Sequence, residues 1–136
     1  MPHADTAPRI ETGRTGRMLY ARVRPNEDLV TSIETLCFQH GFAHALVRGS
    51  LGSLTQATLE TRTGAWIEVP GPAVELLTFM GEVRSDGGDP VAHVHGTLTD
   101  PCGRILAGRL VPGRAPICIT FEITLEEWLP DPVPQV

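Results

Sequence analysis

The stretch that decides the fold is Val91–Leu110, VAHVHGTLTDPCGRILAGRL. His93 and His95 are separated by one residue in an apolar run, so on a β-strand both imidazoles point to the same face. The Asp-Pro-Cys-Gly at residues 100–103 predicts a tight turn, and a second short strand follows it. If the chain turns there, Arg109 falls opposite His95 on the same face. The stretch therefore predicts a hairpin on which two histidines and an arginine converge.

Length and composition predict an ordinary globular protein. The chain has 136 residues, 41% of them hydrophobic and 20% charged, which suits one domain with a proper core. No apolar run is long enough to cross a membrane, and the polar first residues do not resemble a signal peptide, so we expect a cytoplasmic protein. Three cysteines without a CxxC pair predict neither a disulfide framework nor a cysteine-based zinc site. We expect Cys37 and Cys118 to be core residues and Cys102 to lie in the turn.

The charge argues against strong DNA binding by this chain alone. The formal net charge is -5, and all 11 basic residues other than histidine are arginines. Proteins that bind nucleic acids usually carry a basic excess or a clustered basic stripe. The segment Gly13–Arg17 superficially resembles an AT-hook but lacks the Arg-Gly-Arg-Pro core. We interpret it as part of a solvated arm.

One helix is predicted, at about Glu27–His40. Asn26 is the expected N-cap, and Gly41 is the residue expected to end the helix. Apolar residues recur inside the segment at helical spacing. We expect the helix to cover one face of a sheet through Leu29, Ile33 and Leu36.

The rest of the chain has the pattern of strands and turns. The sequence predicts an α+β fold: a mostly antiparallel sheet of seven or eight strands, with the one main helix between the first two. We expect the first strand at 17–24 and the second at 42–51, ended by the glycine-rich segment 49–53. The predicted organisation is a flexible arm at 1–16, a folded domain at 17–128 and a proline-rich tail at 129–136.

Four segments together resemble the PPC domain, the plants-and-prokaryotes-conserved domain that is also written PCC. They are RPNED at 24–28, GSLGSLTQATL at 49–59, VELLTFMG at 74–81, and HVH at 93–95 followed by GRILAGRL at 103–110. The segments stand in the family's order, and the match runs from about residue 17 to 127. The resemblance implies an α+β fold and a homotrimer. It also implies the family's usual description, a predicted DNA-binding protein, although in plants a separate AT-hook accompanies the domain.

The resemblance also implies a place for a metal. Some prokaryotic members bind a metal, apparently zinc, through an H-x-H pair and a third histidine in a Gly-Gly-His-Leu segment. Here His93 and His95 preserve the pair, but Arg109 stands at the third position. An arginine has no free lone pair for a metal. Zinc at His93 and His95 would need a carboxylate as well, and Glu75 is the best candidate on a neighbouring strand.

Two other interpretations of the same residues stay open. Arg109 can supply the positive charge that the metal would have supplied, so the pocket would hold a carboxylate or phosphate with His93 and His95. The three side chains can also be a purely structural cluster. No cofactor other than zinc is indicated.

At the level of function we expect a trimeric binding module with a His-His-Arg pocket. A DNA-associated regulator is one hypothesis, and a module for a metal or a small anion is another. An enzyme is the third and least favoured hypothesis, because the sequence shows no base for Ser50 or Ser53.

Overall fold

The structure, a computed structural model, describes residues 7–133. It confirms the predicted α+β architecture, with one helix between the first two strands of an antiparallel sheet. The strands are β1 (Gly13–Val23), β2 (His44–Leu54), β3 (Ala57–Glu60), β4 (Trp66–Val69), β5 (Val74–Arg84), β6 (Val91–Thr99), β7 (Ile105–Leu110) and β8 (Ile117–Pro130). The helix is α1 (Leu29–His40).

The eight strands form one sheet in the order β1-β8-β2-β5-β6-β7-β3-β4. Strands β6 and β7 form the expected hairpin, and β3 pairs with the far side of β7. One face of the sheet, the inner face, packs under α1 and supplies most of the core. Its fully buried side chains include Val83, Val94, Leu98, Phe121 and Ile123. The other face, the outer face, therefore carries the alternate residues of each strand.

The ends of α1 differ in part from the prediction. The N-cap is Asp28, whose carboxylate accepts a hydrogen bond from the Thr31 backbone N–H at 2.9 Å, and the predicted cap Asn26 is wrong. Asn26 has a φ of 68°, which a turn requires and an N-cap does not adopt. Gly41 ends the helix in the left-handed conformation, as predicted. Among residues 7–133, no helix is long and apolar enough to span a membrane.

The first strand begins at Gly13, four residues earlier than predicted. It pairs with β8 along its length, and Arg17 adds hydrogen bonds from its backbone N–H and its guanidinium to the carboxylate of Glu127. A Cβ at Gly16 would collide with that carboxylate, so the glycine permits the close approach. The AT-hook-like segment therefore lies within a strand. The rest of the predicted arm is described only from Ala7, and the predicted tail only as far as Val133.

The glycine-rich segment 49–53 does not end β2, contrary to expectation. The strand runs from His44 through Leu54 and keeps its pairing with β8, with register shifts between Val47 and Gly49 and between Gly52 and Leu54. Bulges of this kind absorb an irregular segment without ending a strand. The apolar pattern over residues 54–62 predicts a following strand, but only Ala57–Glu60 forms β3, and Leu54 still belongs to β2.

Candidate functional site

His93 and His95 lie on the outer face, away from α1. Both are exposed, and they alternate along β6 with the buried residues Ala92 and Val94. The alternation follows from the period of two in a strand, which sends apolar residues to the core and the histidines to the opposite side. The shared face predicted from the sequence is confirmed.

Arg109 lies directly opposite His95 on β7, which confirms the predicted register. On its other side Arg109 faces Glu60 of β3. The Nη1 atom of Arg109 is 3.5 Å from Oε1 of Glu60, and the Arg109 side chain is 35% exposed. The Nε atom of Arg109 is buried and has no hydrogen-bond partner in the described part of the chain. The Arg109 guanidinium therefore contacts the Glu60 carboxylate through one nitrogen, and most of its N–H donors do not bond to that carboxylate.

A cleft of about 480 Å³, the Arg109 cleft, opens beside this pair. Its lining residues come from β3, β7, the middle of β6 and the turn after β3: Glu60, Thr61, Arg62, His95, Ala107, Gly108 and Arg109. Two arginines and a histidine therefore face one space together with one carboxylate. Glu60 also accepts a hydrogen bond at its Oε2 from the indole N–H of Trp66 on β4, at 2.9 Å.

His93 does not line this cleft. Its partner on β5 is Glu82, whose carboxylate oxygen Oε2 is 2.8 Å from Nε2 of His44 on β2. Burial favours the neutral form of Glu82, but hydrogen bonds from His44 and Arg84 outweigh it and lower the pKa of that carboxyl. The two histidines of the H-x-H pair thus have different neighbours.

Glu75 lies apart from the other predicted site residues. It pairs with Thr99, whereas His95 pairs with Met80. Thr99 is four residues along β6 from His95, which is about 13 Å at the rise of a strand. The structure therefore does not bring the Glu75 carboxylate to the histidines, and Glu82 and Glu60 are the acids beside the predicted site.

The residues present do not fit the zinc site that the H-x-H pair suggests. The third position is a guanidinium, which repels a cation and offers no lone pair. Between residues 7 and 133, no group of three or more His, Cys, Asp or Glu side chains could hold a metal ion. The side chain opposite His95 suits an anion instead.

The fold of this chain has counterparts among known proteins. The family model of the Plants and Prokaryotes Conserved (PCC) domain matches residues 10–129. The chain belongs to the PCC family. Among solved structures, the PCC fold is shared by the metal-containing protein AF0104 from Archaeoglobus fulgidus, with a TM-score of 0.79 and 20% identity over 91% of this chain and 88% of that one. It is also shared by a proposed DNA-binding protein from Bacteroides thetaiotaomicron, with a TM-score of 0.68 and 17% identity over 85% of this chain and 83% of that one.

This chain is also similar to part of a much longer protein. The chain is 32% identical over 106 residues to the bifunctional protein GlmU of Synechococcus sp. (strain JA-2-3B'a(2-13)). The match covers 78% of this chain but 16% of GlmU. The chain thus spans about a sixth of the length of this curated relative.

A larger cleft of about 610 Å³ lies between β1 and α1, far from the histidines on the outer face. It is lined by Arg22 and Arg24 and by hydroxyl groups of the helix, such as those of Thr31 and Thr35. Arg22 is already hydrogen-bonded to Glu122 at 3.0 Å. Although this cleft is larger than the Arg109 cleft, its Arg22 is already paired with Glu122, so we do not take it as the anion site.

Glu60, Arg62 and Trp66 were not foreseen as site residues. They come from β3, from the turn after it and from β4, which join the hairpin only through the pairing of β3 with β7. That pairing joins residues about 50 positions apart, Leu59 with Leu110 and Glu60 with Arg109. Local sequence patterns cannot predict the pairing of two strands so far apart in the chain.

Proposed function

We propose that this PCC protein is a binding module that holds a small anion, a carboxylate or a phosphate, in the Arg109 cleft. The observation that carries the proposal is the guanidinium of Arg109 opposite His95, where the resemblance implies a third metal-ligating histidine. A planar guanidinium binds carboxylates and phosphates through two parallel N–H donors. The cation supplies the positive charge, so binding needs no metal.

The charges in the cleft support this proposal. Arg62 and Arg109 face a single carboxylate, that of Glu60, so the lining carries one excess positive charge before His95 is counted. Glu60 also accepts the indole hydrogen bond of Trp66, which divides its oxygens between two partners. The 3.5 Å contact with Arg109 is long compared with about 2.8 Å for a strong charge-assisted hydrogen bond. An incoming anion can therefore engage the guanidinium without breaking a tight ion pair.

Thermal denaturation in inorganic phosphate tests this proposal. A ligand that binds only the folded state raises the melting temperature, and at a hundred times its Kd it adds about 2.7 kcal/mol of stability. We expect phosphate to raise the melting temperature of the wild type above that in chloride at equal ionic strength. Arg109→Gln should abolish the increase.

Arg48→Gln is the matched control, because Arg48 is also a partly exposed arginine in an ion pair with one glutamate, Glu126. It should keep the full response to phosphate. An equal response in Arg109→Gln and the wild type would place the anion elsewhere, and no response in any variant would reject the proposal.

We also propose that the protein assembles as a homotrimer through the outer face. Three large apolar side chains on this face are mostly exposed in one copy: Leu51 at 64%, Met80 at 69% and Ile105 at 67%. Exposed apolar side chains beside polar ones are typical of a subunit interface. Light scattering should give three times the chain mass of 14.7 kDa, and Met80→Glu should lower it. A mass of one chain for the wild type would contradict the trimer.

DNA binding is an alternative function, suggested by the Bacteroides neighbour, which is itself only a proposed DNA-binding protein. The net charge of -5 opposes it, because phosphate contacts supply most of the affinity for DNA. A mobility-shift assay with DNA at several salt concentrations tests whether the protein binds DNA. A salt-sensitive shift supports DNA binding, and no shift even at low salt removes it.

A further inference from the structure

The Arg109 cleft contains one acidic side chain, that of Glu60, beside its cationic ones. Arg62, His95 and Arg109 line the same cleft. The Glu60 side chain is 31% exposed, and its Oε1 atom is 3.5 Å from Nη1 of Arg109. A carboxylate at this place weakens the binding of a ligand that is only an anion, because like charges repel each other. A ligand that complements the whole cleft therefore carries a positive group as well as a negative one.

Contacts with β4 and with the turn before β8 hold the Glu60 carboxylate in position. Its Oε2 atom accepts the 2.9 Å hydrogen bond from the indole of Trp66, its cross-strand neighbour. The Trp66 ring is in turn covered by Arg114, whose guanidinium carbon is 4.8 Å from the ring centre. Within residues 7–133, Oε1 has only the long contact with Arg109. Oε1 thus keeps lone pairs for a donor on a ligand.

The neighbouring charges of Arg109 and Glu60 suit the two charged groups of an α-amino acid. The ammonium nitrogen and the carboxyl carbon of such a molecule are both bonded to one carbon, which places them roughly 2.5 Å apart at standard bond lengths. With the carboxylate on the guanidinium and the ammonium group on Oε1, each charge of the ligand faces the opposite charge of the protein. The cleft volume of about 480 Å³ is in the usual range for small-molecule sites.

We propose that the ligand of the Arg109 cleft is a small zwitterion of the amino-acid type, with its carboxylate on Arg109 and its ammonium group on Oε1 of Glu60. This inference rests on the anion binding proposed above and gives Glu60 a role in selecting the ligand. An ammonium group donates hydrogen bonds to the carboxylate and also cancels its charge, whereas a neutral hydroxyl group only donates.

Three acids of three carbons that differ only in the group at C2 test this proposal. Propionate has a hydrogen at C2, L-lactate a hydroxyl group and L-alanine an ammonium group. In NMR titrations of the isotope-labelled whole chain at pH 7 and constant ionic strength, we expect a Kd for alanine about two- to fivefold lower than that for propionate, the effect of a partly exposed ion pair. Lactate should fall between them. Inorganic phosphate, titrated in parallel, measures anion binding itself.

Glu60→Gln removes the negative charge and keeps the size of the side chain. This variant should bind propionate more tightly than the wild type does, because the repulsion is gone, and should lose the preference for alanine. A gain in affinity cannot result from unfolding. Arg109→Gln should lose binding of all three acids and of phosphate. Glu68→Gln is the matched control, because Glu68 is on β4, does not line the cleft and accepts a hydrogen bond from the Thr58 hydroxyl at 2.9 Å. It should bind as the wild type does.

The outcomes separate this inference from the proposed anion binding. Phosphate binding that depends on Arg109, together with equal affinities of the wild type for alanine and propionate, would overturn the zwitterion and leave the anion site in place. Tighter binding of lactate than of alanine would contradict it, as would a preference for alanine that persists in Glu60→Gln. Failure of all four ligands to bind the wild type would reject both proposals.

Discussion

At the scale of single residues, Arg109 determines what the cleft can bind. The H-x-H pair and the arginine are all visible in the sequence, and their shared face follows from the alternation of a strand. The acidic residues that lie beside them could not be predicted from the sequence in this way. Glu60 and Glu82 each come from a strand whose register is set by tertiary packing. The sequence accordingly suggested Glu75 as the acid of the site, and the structure places other carboxylates beside it.

Asp28 stabilises the start of α1 and joins it to the turn before β8. Its carboxylate accepts hydrogen bonds from the backbone N–H groups of Thr31 and Ala115, both at 2.9 Å. We expect Asp28→Ala to lower the free energy of unfolding by about 1 to 2 kcal/mol, the usual cost of a lost N-cap. Chemical denaturation in urea measures this.

Asn26→Gly is the control, because glycine tolerates the positive φ of residue 26. It should leave the stability nearly unchanged. A larger loss in Asn26→Gly than in Asp28→Ala would show that residue 26, as the sequence suggested, is the cap.

At the scale of elements, a partly buried ion pair between Arg17 and Glu127 reinforces the antiparallel pairing of β1 with β8. Arg17 donates both side-chain and backbone hydrogen bonds to Glu127, and its guanidinium also lies 4.6 Å from the centre of the Phe42 ring. Sequence patterns predicted the strand itself but placed its start after the glycines. The partner of those glycines is almost the whole chain away, so the extension of β1 could not be predicted locally.

The Glu127 carboxylate makes this attachment sensitive to acid. The hydrogen bond from Arg17 lowers the pKa of Glu127 below its ordinary value of 4.5, against the opposing effect of burial. A depressed pKa in the folded state means that Glu127 stabilises the fold above about pH 4.5 and loses this effect as the pH falls through the folded pKa. We expect Glu127→Gln to be less stable at pH 7 and to lose less stability than the wild type on acidification. Urea denaturation at pH 7 and pH 3 measures both effects.

Glu122→Gln serves as the control for this prediction, since Glu122 also pairs with an arginine of β1, the more exposed Arg22. Exposed ion pairs contribute little, so its pH dependence should match that of the wild type. An unchanged pH dependence in Glu127→Gln would show that the pair does not control acid stability.

At the scale of the whole molecule, the helix, the hairpin and the order of elements could all be predicted from periodicity and turn residues. The sheet order could not, because it depends on pairings such as β2 with β8, which join residues about 80 positions apart at their furthest, Ala45 with Glu127. The Arg109 cleft is a product of that order, since it forms where β3 closes on β7. The positive charge of the Arg109 cleft could therefore be predicted from its residue types. Which residues line the cleft could not, because that depends on the sheet order.

The most direct test of this account is calorimetric titration of wild type and Arg109→His with inorganic phosphate, both in the presence of EDTA. Arg109→His restores the residue type that the family resemblance implies at this position. The account predicts phosphate binding by the wild type without metal and at least about tenfold weaker binding by Arg109→His, because the bidentate guanidinium is lost. Equal affinities in the two proteins, or no binding by the wild type, would contradict the claim that Arg109 is the anion-binding group.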